Sequence, residues 1–171
     1  MAITRPHHAI WPARLPRELA VPQTTLWFNL EVTAQRHPDK AASSFLGRKT
    51  SYARLKADAE AVAGWLQKQG VKRGDRVILY MQNCPQFVAA FYGIVRADAV
   101  VVPVNPMNRA DEFTHYITDP GARVAITTAD LAAVVAEADA RVPANQRLRA
   151  LLVTRFTDAM PPPERLEAEE M

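Results

Sequence analysis

Between Gly70 and Thr127 the chain alternates short apolar runs with longer stretches whose apolar residues recur every three or four positions. The short runs are residues 76–81, 99–104 and 123–127. Each is apolar along most of its length, as a strand covered on both faces should be. The longer stretches carry Phe87, Val88, Phe91, Ile94 and Val95, then Phe113, Tyr116 and Ile117, at helical spacing. Turn signals punctuate the joints: Gly70 after a helix, Arg73-Gly74-Asp75, Asn105-Pro106 and Asp119-Pro120-Gly121. Asn83 stands where a helix cap is expected, with Gln86 at capping-box spacing and Pro85 in the first turn; Asn108 is the expected cap of the next helix. Strand, helix and strand in this order predict an α/β fold with a largely parallel sheet and crossover helices.

The flanks extend the pattern. Thr24 or Thr25 is placed to cap a helix carrying Leu26, Leu30 and Ala34 on one face. Residues 42–46 and 49–51 flank Gly47-Arg48, which predicts a small β-hairpin. Residues 52–69 predict a long helix whose buried stripe is Leu55, Ala59, Val62, Ala63 and Leu66. After the third strand, Leu131, Val134, Val135 and Ala138 mark a helix and residues 148–154 a fourth strand. The expected division is an irregular basic N-terminus over 1–23, an α/β unit over 24–160, and a proline-rich then acidic tail over 161–171.

Composition narrows the classes. A chain of 171 residues with 49% apolar content suits one domain with a real core. A net charge of +3 is too small to argue for nucleic acid. Cys84 stands alone, so no internal disulfide can form and a reducing compartment fits. No apolar run is long enough to cross a bilayer, and the first residues lack a signal peptide's apolar core. The cytoplasm is the expected location, with peripheral contact at the inner membrane the alternative for the N-terminus. Abundant arginine and alanine are the composition of a GC-rich bacterial genome.

Four stretches carry a resemblance: HPDKAASSFLGRKTSY (His37 to Tyr52), GVKRGDRV (Gly70 to Val77), MQNCPQFV (Met81 to Val88) and RADAVVVPVNPMNRADEFTHYITDPGARV (Arg96 to Val124). In order and spacing they closely resemble the start of adenylate-forming acyl-CoA synthetases, the long-chain fatty-acid–CoA ligases most of all. The resemblance runs from about Thr25 to about Met160. It implies a parent reaction in which ATP activates a fatty acid as an acyl-adenylate and the acyl group then passes to CoA. ATP, Mg and CoA are the cofactors it implies for the full-length family, and none for this chain. The family's Thr-, Ser- and Gly-rich loop ending Pro-Lys-Gly is absent here, as are its aromatic-Gly-x-Thr-Glu and Thr-Gly-Asp motifs and its C-terminal-domain lysine. No catalytic, cofactor-binding or metal residue is therefore assigned, and the chain alone is expected to be inactive. The expected partner is the remainder of the parent enzyme, with self-association through an exposed apolar face.

Other chemistry-bearing residues have plainer readings. Cys84 near a helix N-terminus has a lowered pKa as its sharp reading and packing as its plain one. His115 shares a helix with Phe113 and Tyr116; His7 and His8 have no further ligand nearby. Asp98, Asp111, Glu112 and Asp119 read as turn and cap residues. Trp11, Trp27 and Trp65 read as packing. Arg5, Arg14, Arg17, His7, His8 and Trp11 make the N-terminus basic and partly aromatic: a weak membrane-surface contact or a solvated tail. The competing class is a stand-alone doubly wound binding or interaction module. Against a receiver or flavin carrier stand Gln82 and Asn83 after one strand and Asn105 after the next, where acidic or phosphate-cradling residues would be needed.

Overall fold

The computed structural model describes residues 5–159. Its centre is a four-stranded parallel sheet of β3 (Arg76–Tyr80), β4 (Val100–Val104), β5 (Val124–Thr128) and β6 (Ala150–Thr154), in the order β4-β3-β5-β6. Before it come α1 (Leu26–Arg36), the antiparallel hairpin β1 (Ala41–Phe45) and β2 (Arg48–Ser51), and α2 (Tyr52–Lys68). The crossovers are α3 (Pro85–Arg96), α4 (Ala110–Thr118) and α5 (Ala132–Arg141). The expected fold class is therefore observed, down to the leading helix and hairpin.

Alternate strand residues divide into two cores. Val77, Leu79, Val124 and Ile126 face Ala63 and Leu66 of α2 and Ala90 and Ile94 of α3. Ile78, Tyr80, Val104 and Ala125 face Phe113 and Ile117 of α4 and Val135 and Ala138 of α5. A third cluster lies among helices, where Trp27 and Leu30 of α1 meet Leu55, Ala59 and Ala89. Arg96 lies over the Trp27 ring at 5.4 Å, which fixes Trp27 as a packing residue.

Gly70 takes φ +72° after α2, and Val71 N–H bonds back to Leu66 O at 3.1 Å, the left-handed helix stop foreseen. The hairpin turn is Leu46-Gly47, both at positive φ, one residue earlier than Gly47-Arg48. Two positive φ values match a primed two-residue turn, whose twist fits the strands.

Three expectations are corrected. Residues 99–104 do not form a centrally buried strand: β4 is a sheet edge, half exposed, and its Pro103 belongs there because an edge tolerates a missing N–H. Asn83 does not cap α3. Cys84 holds the cap position with no side-chain bond, Asn83 is exposed, and Gln86 Nε2 instead donates to Arg155 O at 2.8 Å. Asn108 does not cap α4 either: Arg109 holds that position, its N–H donates to Glu112 Oε2 at 2.9 Å, and Asn108 Nδ2 reaches the Tyr116 hydroxyl. On α3 the fully buried positions are the small Ala89, Ala90 and Gly93 with Ile94, while Phe87, Val88, Phe91 and Val95 are half-buried. The reason is close approach of α2: a Cβ on Gly93 would stand 2.6 Å from Val62 Cβ. The tail over 161–171 lies outside the described residues.

Candidate functional site

Two places on this scaffold gather polar groups, and the second of them lies beside a hollow. The first is the carboxyl end of the sheet, where strand order reverses about β3, the usual ligand crevice of open α/β sheets. Here Thr127 Oγ1 donates to Tyr80 O at 2.7 Å, tying β5 to β3. The Tyr80 hydroxyl lies 2.6 Å from Asn108 O and 3.2 Å from Pro106 O, and its ring packs 4.6 Å from Phe113. Burial, then the carboxylates of Asp130 and Glu112, push the Tyr80 pKa up, so the phenol stays neutral and holds the loop after β4. Thr128 Oγ1 is buried without a protein partner.

Cys84 sits at this end, buried, with Sγ 3.9 Å from Met81 Sδ. Burial pushes its pKa up, outweighing the backbone N–H groups of Phe87 and Gln86 that pull it down; the carboxylate of Asp130 raises it further. The lowered pKa of the sharp sequence reading is therefore corrected. This thiol is a packing group, since the thiolate is the reactive form.

The second place is a cleft of about 770 Å³ beside β6, between the hairpin and helices α2 and α3. Its floor is apolar, with Met81, Ala90, Ile126 and Leu152, and Phe45 forms part of a wall. Its rim is charged. Arg48, Lys49 and Arg54 come from the hairpin and α2, and Arg54 pairs with Asp58 at 2.9 Å. That hydrogen bond and the Asp58 charge raise the pKa of the Arg54 guanidinium. Across the cleft, Thr154 Oγ1 and Arg155 N–H donate to Asp158 Oδ2 at 3.0 and 2.7 Å, shaping the turn into a short 3₁₀ helix, Phe156–Ala159. Gln86 Nε2 ties α3 to this segment, while its buried Oε1 finds no protein partner.

The remaining residues singled out from sequence lie apart. His115 is exposed on α4. His7 and His8 stack edge-on at 4.7 Å near Trp11 in a 3₁₀ turn, Pro6–Ala9. Asp111 pairs with Arg141, Glu112 completes the α4 capping box, Asp119 ends that helix, and Asp98 takes φ +56° in the turn before β4. Trp65 packs half-buried against the first core. Among the described residues no group of three or more His, Cys, Asp or Glu could hold a metal ion. The hydroxyl–carboxylate contact on the cleft wall, Thr154 to Asp158, belongs to the turn after β6, where Asp158 also accepts from Arg155 N–H. The cleft's chemistry is that of a receiving surface, apolar below and basic at the edge. Sequence reading missed it because its residues come from four separated stretches, 45–62, 81–90, 126 and 152–158, whose side chains are of ordinary type.

A model of the AMP-binding enzyme family matches residues 30–170. A long-chain-fatty-acid–CoA ligase of Bacillus subtilis (strain 168) is 38% identical over 127 residues, which cover 74% of this chain and 23% of that protein. The N-terminal domain of FACL13 from Mycobacterium tuberculosis superposes with a TM-score of 0.72 at 28% identity, over 85% of this chain and 36% of that one. An anthranilate CoA ligase, AuaEII, solved with anthranoyl-AMP, shares the fold with a TM-score of 0.73 at 23% identity, over 81% of this chain and 27% of its own. The chain thus spans about a quarter of the length of the curated relatives it matches.

Proposed function

The chain belongs to the AMP-binding enzyme family, and we propose that it is the amino-terminal part of a fatty-acid–CoA ligase, converting fatty acid, ATP and CoA into acyl-CoA, AMP and pyrophosphate. The observation that carries this reading is the cleft beside β6. An apolar floor open to one side, next to a strand with a free edge, is a surface made to be covered. The cover we propose is the remainder of the parent enzyme. The naming of several relatives as long-chain-fatty-acid–CoA ligases supports the substrate class.

The described residues do not fit ATP or Mg on their own. They form no cluster able to hold a metal ion, and the positive-φ glycines at 47, 70, 74 and 121 each stand alone in a turn or helix stop, not in a phosphate cradle. No step is assigned to those groups through this chain. Its part is to position. β3 and β5 hold the sheet end through Tyr80 and Thr127, and the cleft orients whatever segment brings the phosphate-binding groups.

Fatty-acid-dependent ATP–pyrophosphate exchange tests the reading. The chain alone is expected to run at the no-enzyme blank, because the Pro-Lys-Gly loop and C-terminal-domain lysine of the resembling family, which would stabilise a transferring phosphate, do not occur in this sequence. Co-expressed with the remainder of the parent, it is expected to restore exchange and acyl-CoA formation. Exchange by the chain alone overturns its inactivity. A stable complex with the remainder that turns over no fatty acid overturns the ligase reading in favour of an interaction module.

A further inference from the structure

Large apolar side chains are exposed unevenly along this molecule. Ile10 is 87% exposed, Leu19 89% and Val21 72%, with Leu15 and Trp11 also open to solvent. Leu26 and Phe28 continue the series, whereas beyond them only the scattered Leu46, Val100, Met107 and Val153 are so exposed among the described residues. The segment is not a slack tail. Trp11 Nε1 donates to Pro16 O at 3.2 Å, Leu15 N–H to Pro12 O at 3.0 Å, and Arg5 pairs with Glu18 at 3.2 Å. The loop therefore closes upon itself and turns its apolar side chains outward. Arg14 and Arg17 are exposed within it and carry no ion pair among the described residues.

We propose that residues 5–21 form a docking surface for a bilayer carrying anionic headgroups. The loop has what such a surface needs: aliphatic side chains to enter the boundary, a tryptophan with an apolar body and an N–H handle, and arginines beside them for the phosphates. Charge decides between occupants. Glu18, the acidic residue of the loop, is held by Arg5, so the open charge beside the apolar side chains is positive and fits an anionic lipid face better than a second copy of the same basic loop. Each arginine near such a surface strengthens binding about fivefold. Attachment is therefore weak and reversible. The surface shares no residue with the cleft, so it stands whether or not the ligase reading does.

The test is co-sedimentation of the whole chain with vesicles of phosphatidylcholine alone or mixed equally with phosphatidylglycerol. Salt is set at about 0.01 M and about 1 M, between which the screening length falls from about 30 Å to about 3 Å. Two variants accompany it, Arg14→Gln/Arg17→Gln and Ile10→Ser/Leu19→Ser; both change exposed side chains, so their thermal melts should match the parent's. The parent chain should pellet with the anionic vesicles at low salt only. The arginine pair should bind about thirtyfold more weakly, and the apolar pair should also lose binding. Absence of pelleting by the parent chain, or pelleting unchanged in both variants, overturns the proposal. So does vesicle-free self-association that the same variants abolish, which would make a second copy the occupant.

Discussion

On the side of α4 and α5 the sheet is sealed: Ile78, Tyr80, Val104, Phe113, Ile117, Val135 and Ala138 are all buried. On the side of α2 and α3 the centre is equally dry at Val77, Leu79 and Ile126, yet the flank over β6 stays open as the cleft. Both faces are apolar and both carry helices. They differ in what lies over β6. Leu151 packs against the α4 and α5 cluster, whereas on the other face Ala150 and Leu152 border the α2 and α3 cluster and Leu152 also lines the cleft. α2 and α3 themselves approach closely at Gly93 and Val62. Apolar content alone does not reveal which face is finished.

The largest effect should come from the sealed side. Phe113→Ala empties a fully buried site against the Tyr80 ring and should cost about 3–5 kcal/mol in urea unfolding. A loss below about 1 kcal/mol would mean that face is not closed. Gly93→Ala comes next. Its Cβ would collide with Val62 Cβ and with Ala59 O at 2.9 Å, for a cost of about 1–3 kcal/mol. Val62→Ala in the same chain should recover part of that loss, and purely additive losses would show that the two helices are not clamped there.

A smaller effect is set by pH. The Cys84 pKa is raised in the folded chain, so the unfolded chain gives up its thiol proton first. Stability from this group is complete below the ordinary thiol value of 9.0 and falls as pH rises through the folded value. Melting curves across that range should slope downward, less steeply in Cys84→Ala; the raised Tyr80 adds a similar decline above 10.0 in both chains. An unaltered slope in the variant would deny Cys84 this role. The smallest effect is expected at Asn83→Ala, within about 0.5 kcal/mol, because the side chain is exposed and caps nothing. A loss of about 1 kcal/mol would restore it as a cap.

The sheet and its crossovers were legible because buried parallel strands read as unbroken apolar runs and because Gly70, Gly74 and Gly121 mark joints that need positive φ. Caps were less legible. Asn83 and Asn108 each lie one residue before the true cap, and composition does not reveal a one-residue shift in where helical φ and ψ begin. The large side chains spaced along α3 do pack against the cores, but the closest approach to α2 is made at a small residue. Periodicity finds the large side chains, but a helix packed closely on another buries its small ones. The cleft was illegible because distance along the chain hides it: Phe45, Met81, Ile126 and Leu152 meet only once the sheet is formed.

The strand order has a consequence for how the molecule is assembled. β3 first pairs with β4, whose Pro103 makes its outer side a poor template for another strand. Thereafter each newcomer joins the opposite side, β5 beside β3 and β6 beside β5. Growth is thus one-directional. The end laid down early is blunted, and the open margin passes from β3 to β5 to β6 as each strand is added. In chain order, each strand made after β4 finds the open margin on the side away from it.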